Sequence, residues 1–210
     1  MIPVPPIERV TISGPAGSIE AVVEDVGAAT SRCALICHPH PSFGGTMENK
    51  VVTTLGRALR ETGIPTLRFN FRGVGSSAGE YDAGNGETAA AAAAAFWCAA
   101  HWPGRSLVIA GFSFGAYVAL RLAKQHRPSH LITVAPPVER FDFSAMAPPP
   151  CPWLIVQGDA DDVVDAQSVI RWASRLEPQP QLTVMSGVGH FFHGRLHALR
   201  DAVIEFIQSA

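Results

Sequence analysis

The residues best suited to do chemistry lie in Gly111-Phe112-Ser113-Phe114-Gly115, a G-x-S-x-G between an apolar run, Leu107 to Ala110, and a segment of helical spacing from Phe114 onward. A strand that turns straight into a helix strains its central residue and crowds the positions two either side, which is why glycine is wanted there. Such a turn lifts the Ser113 hydroxyl clear of the fold and sets it at a helix start, where developing negative charge is favoured. A serine hydroxyl is a poor nucleophile near neutral pH. It needs a base within hydrogen-bond reach, and the base needs an orienting acid.

Both are expected after Ser113. Gly158-Asp159-Ala160-Asp161-Asp162-Val163-Val164-Asp165 follows a buried run ending at Gln157 and offers four carboxylates. Asp161 is preferred, since it stands mid-loop between the turn at Gly158 and the apolar pair Val163-Val164; Asp162 and then Asp159 are the next choices. Asp165 is expected to cap the following helix. A calcium loop is excluded because the EF-hand spacing and its distal Glu are absent. In Ser186-Gly187-Val188-Gly189-His190-Phe191-Phe192-His193, His190 sits on a glycine-bracketed loop and is the expected base, taking the proton from Ser113 and returning it to the leaving group. His193 and His197 could be imagined as metal ligands with His38 and His40, but the Glu of H-E-x-x-H is missing and no metal is expected. With His101, His126 and His130 they are read as surface or supporting histidines.

An oxyanion needs two N–H donors. One is expected from Phe114, directly after the nucleophile, and the other from His38-Pro39-His40-Pro41-Ser42-Phe43-Gly44-Gly45. Pro39 and Pro41 have no N–H, leaving His40, Ser42 or Phe43, with His40 favoured. The His38 ring is expected to tie the loop down.

The elements that must position these groups follow from periodicity. Ile7 to Ser13 and Ile19 to Val26 alternate around a Gly-Pro-Ala-Gly turn and read as an antiparallel pair. The apolar runs at 33–37, 65–70 and 107–110 read as buried strands, and 130–135, 151–157 and 181–186 as further strands. Between them, helices are expected from a Thr46 cap to Thr62, over 87–100, from Phe114 to Arg127, over 165–176 and over 194–208. Alternating strands and helices call for a mostly parallel sheet of eight strands covered on both faces, with ligands beyond the carboxyl ends of the strands. The glycine-rich stretch 71–79 has neither G-K-[ST] nor a G-x-G-x-x-G opening a helix, so a phosphate cradle is not expected.

With 210 residues, 47% apolar and 16% charged, the chain is expected to form one globular domain over 1–210. A net charge of −2 argues against nucleic acid or an anionic membrane as partner. Met1 to Pro6 lacks the features of a signal peptide, and the Ala89–Ala100 run is too short to span a bilayer, so a soluble, cytoplasmic protein is expected. Cys33, Cys37, Cys98 and Cys151 form no C-x-x-C. Cys33 and Cys37 would share a strand face roughly 13 Å apart, too far for a disulfide, so buried thiols are expected.

The stretches HPHPSFGGTMENKVV, LRFNFRGVGSSAGEYD, GFSFGA, QGDADDVVD and GVGHFFHGRL, running from His38 to Leu196, resemble the α/β-hydrolase superfamily, and closely its small bacterial serine hydrolases without a lid. The resemblance implies Ser113 as nucleophile, Asp161 as acid and His190 as base. Many superfamily members carry His-Gly where this chain has His38-Pro39, and often proline where it has Asp165. Lids are usually inserted after the strand ending here at Ala135, and Pro136 to Pro150 is too short for one. The expectation is therefore a shallow site bordered by Phe43, Phe114, Val138, Phe191 and Phe192, no cofactor, and a carboxylic ester with a short or accessible acyl group as substrate. A thioesterase, amidase, peptidase or perhydrolase would use the same triad, whereas serine in place of cysteine or aspartate argues against dienelactone hydrolase and haloalkane dehalogenase chemistry. The other class is a binding module that keeps only the scaffold. Monomer and homodimer both fit an exposed apolar rim.

Overall fold

The computed structural model describes residues 7–27, 30–143 and 146–209, so the reading of Met1 to Pro6 lies outside them. Eight strands are present among these residues: β1 (Ile7–Gly14), β2 (Gly17–Glu24), β3 (Arg32–Cys37), β4 (Thr66–Phe69), β5 (Ser106–Phe112), β6 (His130–Val134), β7 (Trp153–Gly158) and β8 (Gln181–Met185). The helices are α1 (Lys50–Glu61), α2 (Asn85–His101), α3 (Phe114–His126), α4 (Ala166–Ala173) and α5 (Leu196–Ser209). The strands form one sheet in the order β1-β2-β4-β3-β5-β6-β7-β8. Only β1–β2 and β2–β4 pair antiparallel, and every pairing from β4–β3 to β7–β8 is parallel. This is the mostly parallel sheet covered on both faces that the alternation of patterns called for, and the architecture that the α/β-hydrolase resemblance implied.

Burial explains the change of pattern along the chain. β3, β5, β6 and β7 lie between two apolar clusters, so nearly every side chain is covered. One cluster packs Leu35, Ile109 and Ile155 under α2, α3 and α4. The other packs Ile36, Ala110 and Val156 under α1 and α5. All four cysteines are free, with Cys33, Cys37 and Cys98 buried.

The starts of α1 and α2 differ from the sequence expectation for reasons visible in their caps. Thr46 caps only a turn, its hydroxyl accepting from the Glu48 N–H, because the adjacent Met47 is buried with its N–H donated to Asn70 Oδ1 at 2.9 Å. Asn49 caps α1 instead, accepting from the Val51 N–H. α2 begins at Asn85 because buried Glu87 reaches back to accept from the Asp82 and Gly84 N–H groups, each at 2.8 Å. β7 starts at Trp153 rather than Cys151, since Pro150 and Pro152 cannot donate to a ladder. From β6 to β7 the described residues contain no helix, so no cap covers the sheet's carboxyl end. No helix among the described residues is long and apolar enough to cross a membrane.

Two close contacts fix the ends of the central strands. At the start of α3, a Cβ on Gly115 would lie 2.3 Å from the Cys37 carbonyl oxygen and 2.5 Å from that of His38. At the end of β5, a Cβ on Gly111 would lie 2.1 Å from Gly115 O. The helix therefore rests directly on the β3 backbone. His38, fully buried just beyond β3, donates from Nδ1 to Pro39 O at 2.6 Å and accepts at Nε2 from the Phe71 N–H at 2.9 Å. Those bonds fix a neutral ring, and burial, against the opposing pull of the Pro39 bond, pushes its pKa down to about 3.

Gly115→Ala is expected to cost about 1–3 kcal/mol by overpacking, read as a Tm several degrees lower. For His38, the unfolded chain binds a proton near pH 6.5 and the folded one only near 3. Its contribution is complete above pH 6.5 and drains as pH falls, at up to ~1.4 kcal/mol per pH unit. Urea unfolding should show wild type losing about 2–3 kcal/mol more than His38→Gln between pH 7.5 and 4.5. Parallel losses in the two proteins would refute the neutral-histidine assignment.

Candidate active site

Ser113 sits between β5 and α3 with φ 54° and ψ −121°, a left-handed backbone that a side chain rarely adopts. Its N–H donates to Val134 O and its carbonyl accepts from the Ala116 N–H, each at 2.8 Å, so β6 and α3 both hold the turn. The result aims Oγ away from the sheet toward the loop after β8. There His190, 3% exposed, brings Nε2 to 3.1 Å from Ser113 Oγ and Nδ1 to 2.8 Å from Asp161 Oδ2. With Nδ1–H donated to the carboxylate, Nε2 carries the lone pair that faces the serine hydroxyl. The imidazole is walled by Phe112 and Phe191, with ring centroids at 5.0 and 5.1 Å.

Asp161, rather than its neighbours, is the carboxylate that meets His190, and its bonds hold it there. Oδ1 accepts from the Val163 and Val164 N–H groups, both at 2.8 Å, and Oδ2 accepts from Gln157 Nε2 at 3.1 Å in addition to His190. Burial of the carboxyl raises its pKa, but the bonds from His190 and the two backbone donors outweigh it and hold the group below the usual carboxylate value. The other acids of the loop go elsewhere. Asp159 Oδ1 accepts from the Gly187 N–H, Asp165 caps α4 through the Gln167 and Ser168 N–H groups, and Asp162 is exposed at the mouth of the site.

The loop after β3 uses most of its amides internally. Ser42 N–H donates to His40 Nδ1, Phe43 and Gly45 N–H to His40 O, and Gly44 N–H to Pro41 O. That leaves the His40 N–H without a backbone acceptor among the described residues, and Phe114, first in α3, has no intrahelical acceptor either. The His40 ring is set by Ser42 at Nδ1 and by Tyr81 Oη, 3.1 Å from Nε2, and packs against Phe43, Tyr81 and Phe114. Burial holds its pKa below the ordinary value.

Ser113 and His190 open into a cavity of about 460 Å³ lined by Pro39, His40, Phe43, Gly44, Gly45, Asn49, Arg140, Asp162, Val163 and Phe191. Phe43 is 81% exposed and Phe191 44%, both on the rim. Phe192 is not: its own φ of 54° turns it inward, and it is fully buried in the cluster beneath α5. Val138 also stays off the lining, half-buried against the opposite cluster, and Arg140 and Val163 take that side of the mouth. His130 is no surface residue either, since it stands in β6 edge-on to Phe206. A cavity of about 530 Å³ between the Pro148–Trp153 and Pro178–Gln181 segments contains Cys151, whose thiol burial pushes up to about 11, and no base. The chemistry points to the smaller cavity.

Gln157, Tyr81 and Arg140 escaped sequence reasoning. A glutamine closing a strand and a tyrosine in a glycine-rich loop carry no local pattern; their roles arise from the turn after β7 that brings Asp161 back to Gln157 and from the approach of the 71–84 loop to His40.

A family model described as an alpha/beta hydrolase domain matches residues 32–201. The crystal structure of a serine hydrolase without a lid from Xanthomonas campestris superposes with a TM-score of 0.92 at 46% identity, covering 99% of this chain and 97% of that one. An α/β serine hydrolase homologue from Coxiella burnetii gives 0.91 at 46% identity, covering 94% and 96%. An uncharacterised protein of Rickettsia prowazekii is 37% identical over 210 residues, 95% of this chain and 88% of the relative. The chain belongs to the α/β-hydrolase family and shares the lidless architecture of its Xanthomonas relative.

Proposed function

We propose that this hydrolase cleaves carboxylic esters through an acyl-enzyme, with Ser113 as nucleophile, His190 as general base and acid, and Asp161 as the group that orients and stabilises the imidazolium. The observation that carries the reading is the continuous Ser113–His190–Asp161 chain at 3.1 and 2.8 Å. Its support from relatives is the serine-hydrolase character of the Xanthomonas protein at 46% identity.

Ser113 Oγ attacks the acyl carbon as its proton passes to His190 Nε2. The carbonyl oxygen becomes an oxyanion that the Phe114 and His40 N–H groups would hold, the Phe114 amide with the added positive potential of the helix start. Collapse breaks the acyl–alkoxy bond, and the alcohol leaves with the proton from His190. Water then repeats the sequence: it gives a proton to His190 and attacks the acyl-enzyme, and Ser113 Oγ departs with that proton as the carboxylic acid is released. Phe43 and Phe191 give the small-molecule acyl substrate an apolar, open rim, which favours short or accessible chains.

A fluorophosphonate probe followed by intact-mass analysis should add one adduct to the native protein, none to Ser113→Ala, and should label His190→Ala far more slowly. A folded native protein that stays unlabelled would overturn the triad assignment. Asp161→Asn is expected to lower kcat on a short-chain aryl ester by about 10⁴-fold through loss of the correct tautomer. Retention of more than a tenth of wild-type kcat would assign the acid to another residue.

A further inference from the structure

Among the described residues that line the cavity, Arg140 is the one carrying a guanidinium or ammonium group, and the ester-hydrolase reading gives it no task. Its Nη2 donates to Val163 O at 3.0 Å, so the guanidinium is anchored to the backbone of the loop that carries Asp161. The segment that bears it is held as well: Arg140 N–H donates to Pro137 O at 3.0 Å, and the next residue, Phe141, stacks on Tyr117 with centroids 4.7 Å apart.

An anchored arginine would ordinarily take a carboxylate, as Arg72, Arg171 and Arg200 do at 3.2, 3.5 and 2.6 Å. Arg140 has none among the described residues, although acids surround it in sequence. Glu139 is engaged by the Ser168 hydroxyl instead. One carbonyl bond uses one of five donors on a planar fork suited to bidentate anion binding.

Resting on the ester-hydrolase reading, we propose that Arg140 is a specificity-determining residue, and that the substrate is an ester carrying a second, ionised carboxylate that reaches the guanidinium while Ser113 attacks the ester carbon. The charge of the lining selects a monoanion. Asp162 borders the same cavity, so the mouth has one positive and one negative group and disfavours a dianion such as a phosphate monoester. The carboxylate can lie on the acyl or on the alcohol side, and substrates distinguish the two.

The test compares kcat/KM for para-nitrophenyl hydrogen glutarate with para-nitrophenyl pentanoate, which places the charge on the acyl side. A second comparison, para-butyryloxybenzoate with para-butyryloxybenzamide, places it on the alcohol side. In one of the two pairs the charged-to-neutral ratio is expected to fall roughly fivefold to tenfold in Arg140→Gln and to be partly kept in Arg140→Lys. The same ratio should rise in Asp162→Asn and fall as KCl is raised. A ratio unmoved by Arg140→Gln in both pairs overturns the assignment. Turnover of the neutral esters tests the hydrolase reading separately: if they and the fluorophosphonate probe both fail, that reading falls; if they react without a charge preference, only the role of Arg140 does.

Discussion

The backbone of Ser113 is the constraint on which the rest depends. A left-handed conformation at a residue with a side chain costs of order 1–3 kcal/mol and persists only where its surroundings over-determine it. Here the two parallel neighbours of β5 supply that determination from opposite sides. β6 receives the Ser113 N–H through Val134 O, and β3 presents the Cys37 and His38 carbonyls to the space where Gly115 has no Cβ. One contact thus does two jobs. By seating the helix on the end of β3, it also brings the 38–45 loop to the start of α3, where the His40 ring packs against Phe114 with centroids 5.0 Å apart.

Electrostatics then sorts eight histidines into different tasks. His38 is kept neutral because both ring nitrogens are committed to backbone partners in a dry interior, and a second proton would break the Phe71 bond. His40 is held by Ser42 and Tyr81 and contributes structure through its ring and an open donor through its amide. His190 has one nitrogen facing a buried carboxylate and the other facing a hydroxyl. Asp161 remains anionic there because its four hydrogen bonds replace the water it lost, three of them built by the loop and by Gln157 irrespective of the histidine.

Much of this was legible because the fold writes itself in local patterns. The shift from alternating to continuous apolar strands located the sheet's edge and centre, and the G-x-S-x-G between a strand and a helix located the elbow. Asp161 was preferred to Asp162 for its place mid-loop between Gly158 and the Val163-Val164 pair, whose amides do turn back to its carboxylate, and Asp165 stands where α4 needs a cap. What failed was direction. Phe191 and Phe192 are adjacent and chemically alike, and only the positive φ at Phe192 sends one to the rim and the other into the core beneath α5. Nothing in a Phe-Phe pair announces that sign. The start of α1 failed for a similar reason: Thr46 is a good cap by composition, yet the Met47–Asn70 bond holds Met47 and Glu48 in a separate turn before the helix begins.

Among the described residues no helix stands between β6 and β7, and that shifts the burden of selectivity. A lid recognises substrate by enclosing it and excluding water, so its apolar area does much of the discrimination. Here the mouth stays open, and apolar rim residues as exposed as Phe43 offer affinity with little power to reject a competitor of similar size. Discrimination at an open mouth therefore falls to fixed polar groups, whose demand for a partner is directional and penalises a ligand that lacks one. A short β6–β7 connection meets that need more cheaply than a cap, because it needs only to hold one charged side chain against the acid loop. The bond from Arg140 to Val163 O does this at the backbone of the same loop whose next amide steadies Asp161, so the group that would read the substrate and the group that orients the base share one rigid support.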